Sequence, residues 1–322
     1  MKINESFENY LQTVRLSRSE NTFLAYSNGI KFFTFTLQSN GIDPENDHVE
    51  ELQEEVISWF AADLKGYSAA SEQLYITAVK GYFEFIVAEN LSKINLSKIS
   101  LLIKQRTRKP GKRLPQFPAD DIIKIITTLE NRKFADISNE KNKLRALRNK
   151  SFIITLADTG LRVHEACNLR RGEMDWREGR ALVIGKGNRQ AVVRFSTRAL
   201  DALKTYLHAR MPLDGNSGRQ LGSLPLFARH DKGAGKKVLS ITPTTGRNIV
   251  TEIVREVLGE EAVGTITPHS FRHYFVTKVL QVSGNLKLAQ NLARHKNIEV
   301  TQRYAHLSND ELDKGYWQVF ED

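Results

Sequence analysis

Residues 159–195 read TGLRVHEACNLRRGEMDWREGRALVIGKGNRQAVVRF. An apolar-periodic segment, 144–158, runs into this stretch and is broken by Thr159-Gly160, after which LRVHEACNLR resumes a helical pattern. ALVI (181–184) and AVVRF (191–195) then give two strand signals around a tight GKGN turn, which predicts a β-hairpin with Lys186 at its tip. Helix, short helix and hairpin in sequence predict a mainly α fold with a small β-hairpin or sheet.

Working upstream, residues 132–143 read as a polar loop, and 120–129 as a helix with an acidic first turn. Before them the composition changes. KQRTRKPGKR (104–113) holds Lys104, Arg106, Arg108, Lys109, Lys112 and Arg113 without an acid, and Pro115 and Pro118 follow. Such a run is a solvated linker, and in a basic protein it is also a strap able to neutralise phosphates. The first hundred residues carry four apolar-periodic segments, at 5–16, from Glu20 with Ser19 as N-cap, at 49–64 and at 68–89, which predict a compact helical domain. Their aromatic stripe is read as core, since base-stacking residues would need to be exposed. Downstream of the hairpin, helices are predicted at 197–209, 244–258, 268–282 and 286–293, with 213–239 mostly loop. The expected organisation is a helical domain over 1–103, a basic linker over 104–118, a second domain over 119–308 and a terminal segment over 309–322. That last segment is acidic and carries Tyr316, Trp317 and Phe320, so it is expected to dock on a hydrophobic surface of its own chain or of a neighbour.

With 322 residues and 40% hydrophobic content, the chain can bury two cores. Lys+Arg 47 against Asp+Glu 37 leaves a formal charge of +10, which favours polyanions: nucleic acid first, an acidic membrane surface second. No apolar run approaches the roughly 20 residues of a spanning helix, and MKINESFENY lacks a signal-peptide core. A soluble, cytoplasmic, nucleoid-associated protein is expected. The single cysteine, Cys167, excludes an internal disulfide and a Cys-based zinc site and is read as a small buried apolar residue. No cofactor, metal, membrane partner or small-molecule substrate is expected.

Four separated pieces call for one explanation: Thr159-Gly160-Leu161-Arg162 with Glu165, Lys186 on its hairpin, PHSFRH (268–273), and His295 followed nine positions later by Tyr304. Singly, each has an ordinary reading: a helix-start ion pair, a polar turn residue, a solvated helix face, an amphipathic tyrosine. Together they suit phosphodiester cleavage by a tyrosine without a metal. Two guanidiniums, Arg162 and Arg272, offer permanently charged forks to the nonbridging oxygens of a pentacoordinate phosphorus. Histidines add hydrogen bonds and can take the nucleophile's proton. A phenol, with a pKa of about 10, needs cations around it to become a nucleophile at neutral pH. The leaving deoxyribose oxygen needs a proton, which a lysine on a hairpin can supply.

These pieces resemble the tyrosine recombinase (phage integrase) family. TGLRVHE is similar to its first arginine motif, GKGNR to its lysine hairpin, PHSFRH to its His-x-x-Arg motif, and the segment from His295 to Tyr304 to its final histidine and nucleophile. SENTFLAYSNGIKFF resembles part of the family's N-terminal core-binding, SAM-like helical domain, so the layout is that of the two-domain Xer and Cre type. The resemblance implies that Tyr304 forms a 3'-phosphotyrosyl link, that Arg162 and Arg272 hold the phosphate, and that Lys186 protonates the 5'-oxygen. It further implies His269 as an acid/base or hydrogen-bonding residue, His295 as a donor to the phosphate, and Glu165 as a supporting residue that orients its neighbours. Double-stranded DNA is the implied partner, and a homotetramer the implied synaptic assembly, from a monomer or weak oligomer off DNA. The segment 309–322 would pack in trans on a neighbour. One position departs: members commonly carry Gly immediately before the final histidine, where this chain has Arg294, which bears on the local backbone and offers a DNA contact. The 132–143 segment also looks longer than its equivalent in compact members. A site-specific DNA recombinase is therefore expected. A type IB topoisomerase-like relaxing activity and a DNA-binding protein with an inactive catalytic domain are the alternatives. Neither the target sequence nor a choice between chromosome resolution and mobile-element integration is written in these motifs.

Overall fold

The computed structural model describes residues 1–108, 118–134, 137, 139–185, 189–235, 237–295, 297, 298, 301 and 302, with the side chains of Arg189 and Lys232 left aside. Its contacts separate into two compact units, Met1–Arg113 and Leu114–Asp322. The fold is mainly helical with one small antiparallel sheet.

The first unit is built from α1 (Ile3–Ser17), α2 (Glu20–Ser39), α3 (Val56–Asp63), α4 (Ala69–Ala88) and α5 (Leu96–Arg106). Local chemistry starts these helices. The hydroxyls of Ser19 and Ser68 accept from the N–H groups of Thr22 and Ser71, and the Asn95 carboxamide oxygen accepts from Ser97 and Lys98. Phe33, Phe60, Tyr82 and Phe83 are fully buried, with Phe33 and Phe60 meeting edge to face at 5.2 Å, so these rings are core, whereas Phe35 and Tyr67 are exposed. Two sequence expectations need correction. Residues 49–64 are not one helix: a 3-10 turn, Val49–Glu51, precedes α3. The basic run does not begin as linker at Lys104, because Lys104 and Arg106 lie in the last turn of α5. Arg108 is tied down as well. Its Nε donates to Glu72 Oε2 at 2.5 Å and its backbone N–H to Glu72 Oε1 at 2.9 Å, while Lys65 Nζ reaches the same carboxylate at 2.9 Å. Glu72 has no exposed side-chain surface; burial would raise its pKa, but these donors hold it well below the usual carboxylate range. Lys109, Lys112 and Arg113 lie outside the described residues.

The second unit contains α6 (Ala119–Asn131), α7 (Glu140–Thr159), α8 (Val163–Asn168), β1 (Met174–Asp175), β2 (Arg180–Gly185), β3 (Arg189–Arg194), α9 (Thr197–Gly215), α10 (Pro243–Leu258), α11 (Pro268–Ser283) and α12 (Leu286–Ala293). The sheet order is β1-β2-β3, with Val183 opposite Ala191 and Gly185 opposite Arg189. Ala181, Val183 and Val193 face the core, whereas Leu182, Ile184 and Val192 are exposed. α7 is the central rod, packed against both α9 and α11, with Phe152, Ile153 and Leu156 fully buried. Two elements exceed the sequence reading. α7 begins at Glu140, capped by Asn139, inside the expected loop. α9 continues past Ala209 and through Pro212, because fully buried Arg210 binds Asp214 at 2.9 Å, Tyr206 Oη at 3.0 Å and the carbonyls of Pro225 and Leu226. That network outweighs the lost helical bond of the proline. No helix among the described residues is long and apolar enough to cross a membrane.

Candidate active site

Three helix ends converge to build the site. α7 stops at Gly160, whose φ of +59° suits a residue without a Cβ, and the chain then turns into α8 with Arg162 at its N-cap. α11 starts at Pro268, with Thr267 N–H donating to Ser270 Oγ at 3.1 Å, and so presents His269, Arg272 and His273 within its first two turns. α12 ends at Arg294, immediately before His295.

Arg272 joins these ends. It is 3% exposed, and its guanidinium donates to the carbonyls of Gly160 and Ala293. One residue thus ties the approach to Arg162 to the approach to His295. Arg162 is the accessible partner, with 40% of its side chain exposed. Its backbone N–H donates to Glu165 Oε2 at 2.9 Å and its Nη1 to Glu165 Oε1 at 3.0 Å. Glu165 is almost fully enclosed and also accepts from Arg294 Nη2, at 2.9 Å on Oε2. Burial would raise the Glu165 carboxyl, but Arg294, the Arg162 backbone N–H and the Arg162 guanidinium outweigh it and hold the group below its ordinary value.

The imidazoles are held neutral. His269 and His273 lie one turn apart on α11 with ring centroids at 4.2 Å. Burial, then Arg272 and Arg162, push His269 down; burial, then His269 and Arg272, push His273 down to about 4. For His295 the causes are burial first, then Arg272 and Arg162, and it too falls to about 4. Its Nδ1 lies 2.8 Å from Thr301 Oγ1, and its backbone N–H donates to the Gln290 carbonyl at 3.1 Å. At neutral pH such rings offer one donor and one acceptor without adding charge.

Arg162, Glu165, His269, Arg272 and His295, named from the sequence, are therefore brought together around the ends of α7, α11 and α12. Lys186 and Tyr304 lie outside the described residues, as does the segment 309–322. Sequence reasoning gave no role to His273, although its four-residue spacing from His269 places it on the same helix face. It also missed Thr301. Arg294 has φ +57° and ψ +42°, the left-handed conformation that glycine adopts without cost, so the backbone at this departure is the one a glycine would take. Its guanidinium turns to Glu165, and its Nε and Nη1 are buried with no hydrogen-bond partner among the described residues. Cys167 is fully buried and burial pushes its thiol up to about 12, in keeping with an inert packing residue.

Comparison with known proteins gives matching results. Residues 119–311 match the model of the phage integrase family, and residues 5–90 that of the phage integrase N-terminal SAM-like domain. The tyrosine recombinase XerC of Bacillus pumilus (strain SAFR-032) is 30% identical over 311 residues, covering 96% of this chain and 93% of the relative; that of Bacillus subtilis (strain 168) is 28% identical over 315 residues with the same coverage. Among solved structures, the XerH site-specific recombinase bound to a palindromic difH substrate superposes with a TM-score of 0.71 at 20% identity, covering 99% of this chain and 85% of that one. The Tn1549 transposon integrase in complex with transposon right end DNA gives a TM-score of 0.64 at 16% identity, with both chains covered completely. At such identities the structural likeness concerns the fold.

Proposed function

The chain belongs to the phage integrase family of tyrosine recombinases, and on that premise we propose that it cuts and rejoins DNA at a specific site through a 3'-phosphotyrosyl intermediate on Tyr304. The observation that carries this reading is the convergence of Arg162, Arg272, His269 and His295 on three helix ends, with Arg272 bonded to carbonyls on either side. That arrangement is a preorganised cationic site with neutral imidazoles at its edge, suited to a phosphate that gains charge in the transition state.

The phenol oxygen of Tyr304 attacks phosphorus and its proton passes to a neutral imidazole, for which His269 is well suited. Arg162 and Arg272 hold the nonbridging oxygens. The bond to the 5'-oxygen breaks, and that oxygen takes a proton from Lys186 on the β2–β3 hairpin. The tyrosyl phosphodiester conserves the energy of the broken bond, so a 5'-hydroxyl from a partner strand attacks it and rejoins the DNA with no nucleotide cofactor. Exchange between two duplexes takes four strand cuts and hence four protomers, with the segment 309–322 reaching a neighbour and regulating Tyr304. The protein would carry this out on cytoplasmic DNA.

The test is capture. Full-length protein incubated with a nicked, random-sequence duplex library should give detergent-resistant protein–DNA adducts, and sequencing the trapped DNA defines the site. Tyr304→Phe should bind the same DNA and form none; adducts from that variant would overturn the assignment. Efficient supercoil relaxation without site preference would point instead to a topoisomerase-like activity.

A further inference from the structure

Arg294, the position that departs from the family pattern, shares the Glu165 carboxylate with Arg162. Glu165 has two oxygens and faces two guanidiniums. Arg162 takes Oε1 through Nη1, while Arg294 Nη2 and the Arg162 backbone N–H share Oε2. Without Arg294, Oε1 and the side of Oε2 that the Arg162 backbone N–H leaves free would both be open to the Arg162 side chain, whose fork fits a carboxylate in a bidentate pair. That pair is electrically neutral and uses the donors that a phosphate needs. With Arg294 present, the trio keeps a net positive charge, and among the described residues the only side-chain bond of Arg162 is through Nη1.

We propose that Arg294 is a positioning residue: by occupying one oxygen of Glu165, it prevents Arg162 from closing onto that carboxylate and keeps its remaining donors for the scissile phosphate. This rests on the reading of the site as one that cleaves a phosphodiester. Two observations set it apart from a packing role. The residue adopts a left-handed backbone that would cost a glycine nothing, and it buries Nε and Nη1 without partners among the described residues. Both features count against an arginine kept for stability alone.

Arg294→Gly is the natural probe, because glycine fits the backbone and the fold should survive. On a nicked duplex carrying the captured site, at saturating protein, the rate of adduct formation should fall by roughly 10- to 100-fold, the cost of a misplaced catalytic group. DNA affinity should change by less than about threefold, since one shared charge is a small part of a multi-phosphate contact. Arg294→Lys, which restores the charge, should recover most of the rate. In a Glu165→Gln background the same R294G change should have little further effect, because the competing carboxylate is gone. Equal rates for wild type and R294G, or an equal loss in both backgrounds, would overturn the proposal. A readout without DNA runs beside it. The Glu165 carboxyl, followed by 13C NMR in glutamate-labelled protein, should titrate at higher pH in R294G, and an unchanged titration overturns the link between the two residues. A wild type that forms no adduct counts against the recombinase reading, and the NMR titration then decides the role of Arg294 alone.

Discussion

At the scale of single residues, the two arginines of the site are opposites in burial, and their substitutions should separate accordingly. Arg272 is enclosed and satisfies two carbonyls, so Arg272→Ala leaves buried acceptors without donors and should cost about 2–4 kcal/mol of stability. Arg162 is partly exposed and Glu165 retains Arg294, so Arg162→Ala should cost no more than about 1 kcal/mol. Each variant should nevertheless lose about 100- to 1000-fold in adduct formation if both act as preorganised charge. Urea melts beside single-turnover cleavage check the pair, and equal stability losses with unchanged cleavage would leave both with structural roles alone. The residue types and order made Arg162, His269, Arg272 and His295 legible in the sequence, since guanidiniums and imidazoles in that succession have few other uses. The bond from Arg294 to Glu165 was not legible, because 129 residues separate its ends and no local pattern records it. Arg294 could be seen as a departure, but its left-handed backbone could not.

At the scale of elements, the site depends on how α7 ends. A Cβ built on Gly160 would lie 2.5 Å from Phe275 Cδ1, and the residue already sits at φ +59°. Gly160→Ala should therefore cost about 2–4 kcal/mol, combining left-handed strain with overpacking. Because the Gly160 carbonyl holds Arg272, cleavage should also slow at temperatures where the variant is fully folded. A variant that is less stable yet cleaves at the wild-type rate would separate the helix end from the chemistry. In the first unit, Glu72→Gln removes the anion that gathers Lys65 and Arg108 at the end of α5, both still partly exposed to water, and should cost about 1–3 kcal/mol. The same elements mark the limits of sequence reading. Helices with clear apolar periodicity and Ser caps, α2 and α4 above all, could be read almost to their ends. α5 was hidden because its last turn is basic and looks like linker until Glu72, far away in sequence, is seen beneath it. The end of α9 was hidden because Pro212 signals a stop that only the buried Arg210 and Asp214 pair overrides.

At the scale of the whole molecule, protonation links stability to DNA. His273 and His295 are held down to about 4, and His230, buried against Tyr206 Oη at 2.8 Å, to about 3. An unfolded chain titrates its histidines near 6.5, so between that value and about 4 the unfolded state binds protons that the native state refuses. Stability should be level between about pH 7 and 8 and fall as pH drops through this window, with the depressed carboxyls of Glu165 and Glu72 adding a further loss at lower pH. Urea midpoints that stay flat from pH 7 to 4.5 would contradict buried, neutral imidazoles. DNA reverses the sign at the site. Burial is the main cause that depresses His269 and His295, and Arg272 and Arg162 add to it; a phosphate placed against the two arginines offsets their share, so the pKa values rise and binding takes up protons. Affinity for the captured site should therefore increase as pH is lowered from about 7.5 to 5.5, and by more than the affinity for unrelated duplex. Calorimetric titrations in two buffers of different ionisation enthalpy measure that uptake directly. His295→Gln should reduce it to the share contributed by His269, and equal uptake by this variant and wild type would mean that the phosphate does not reach His295.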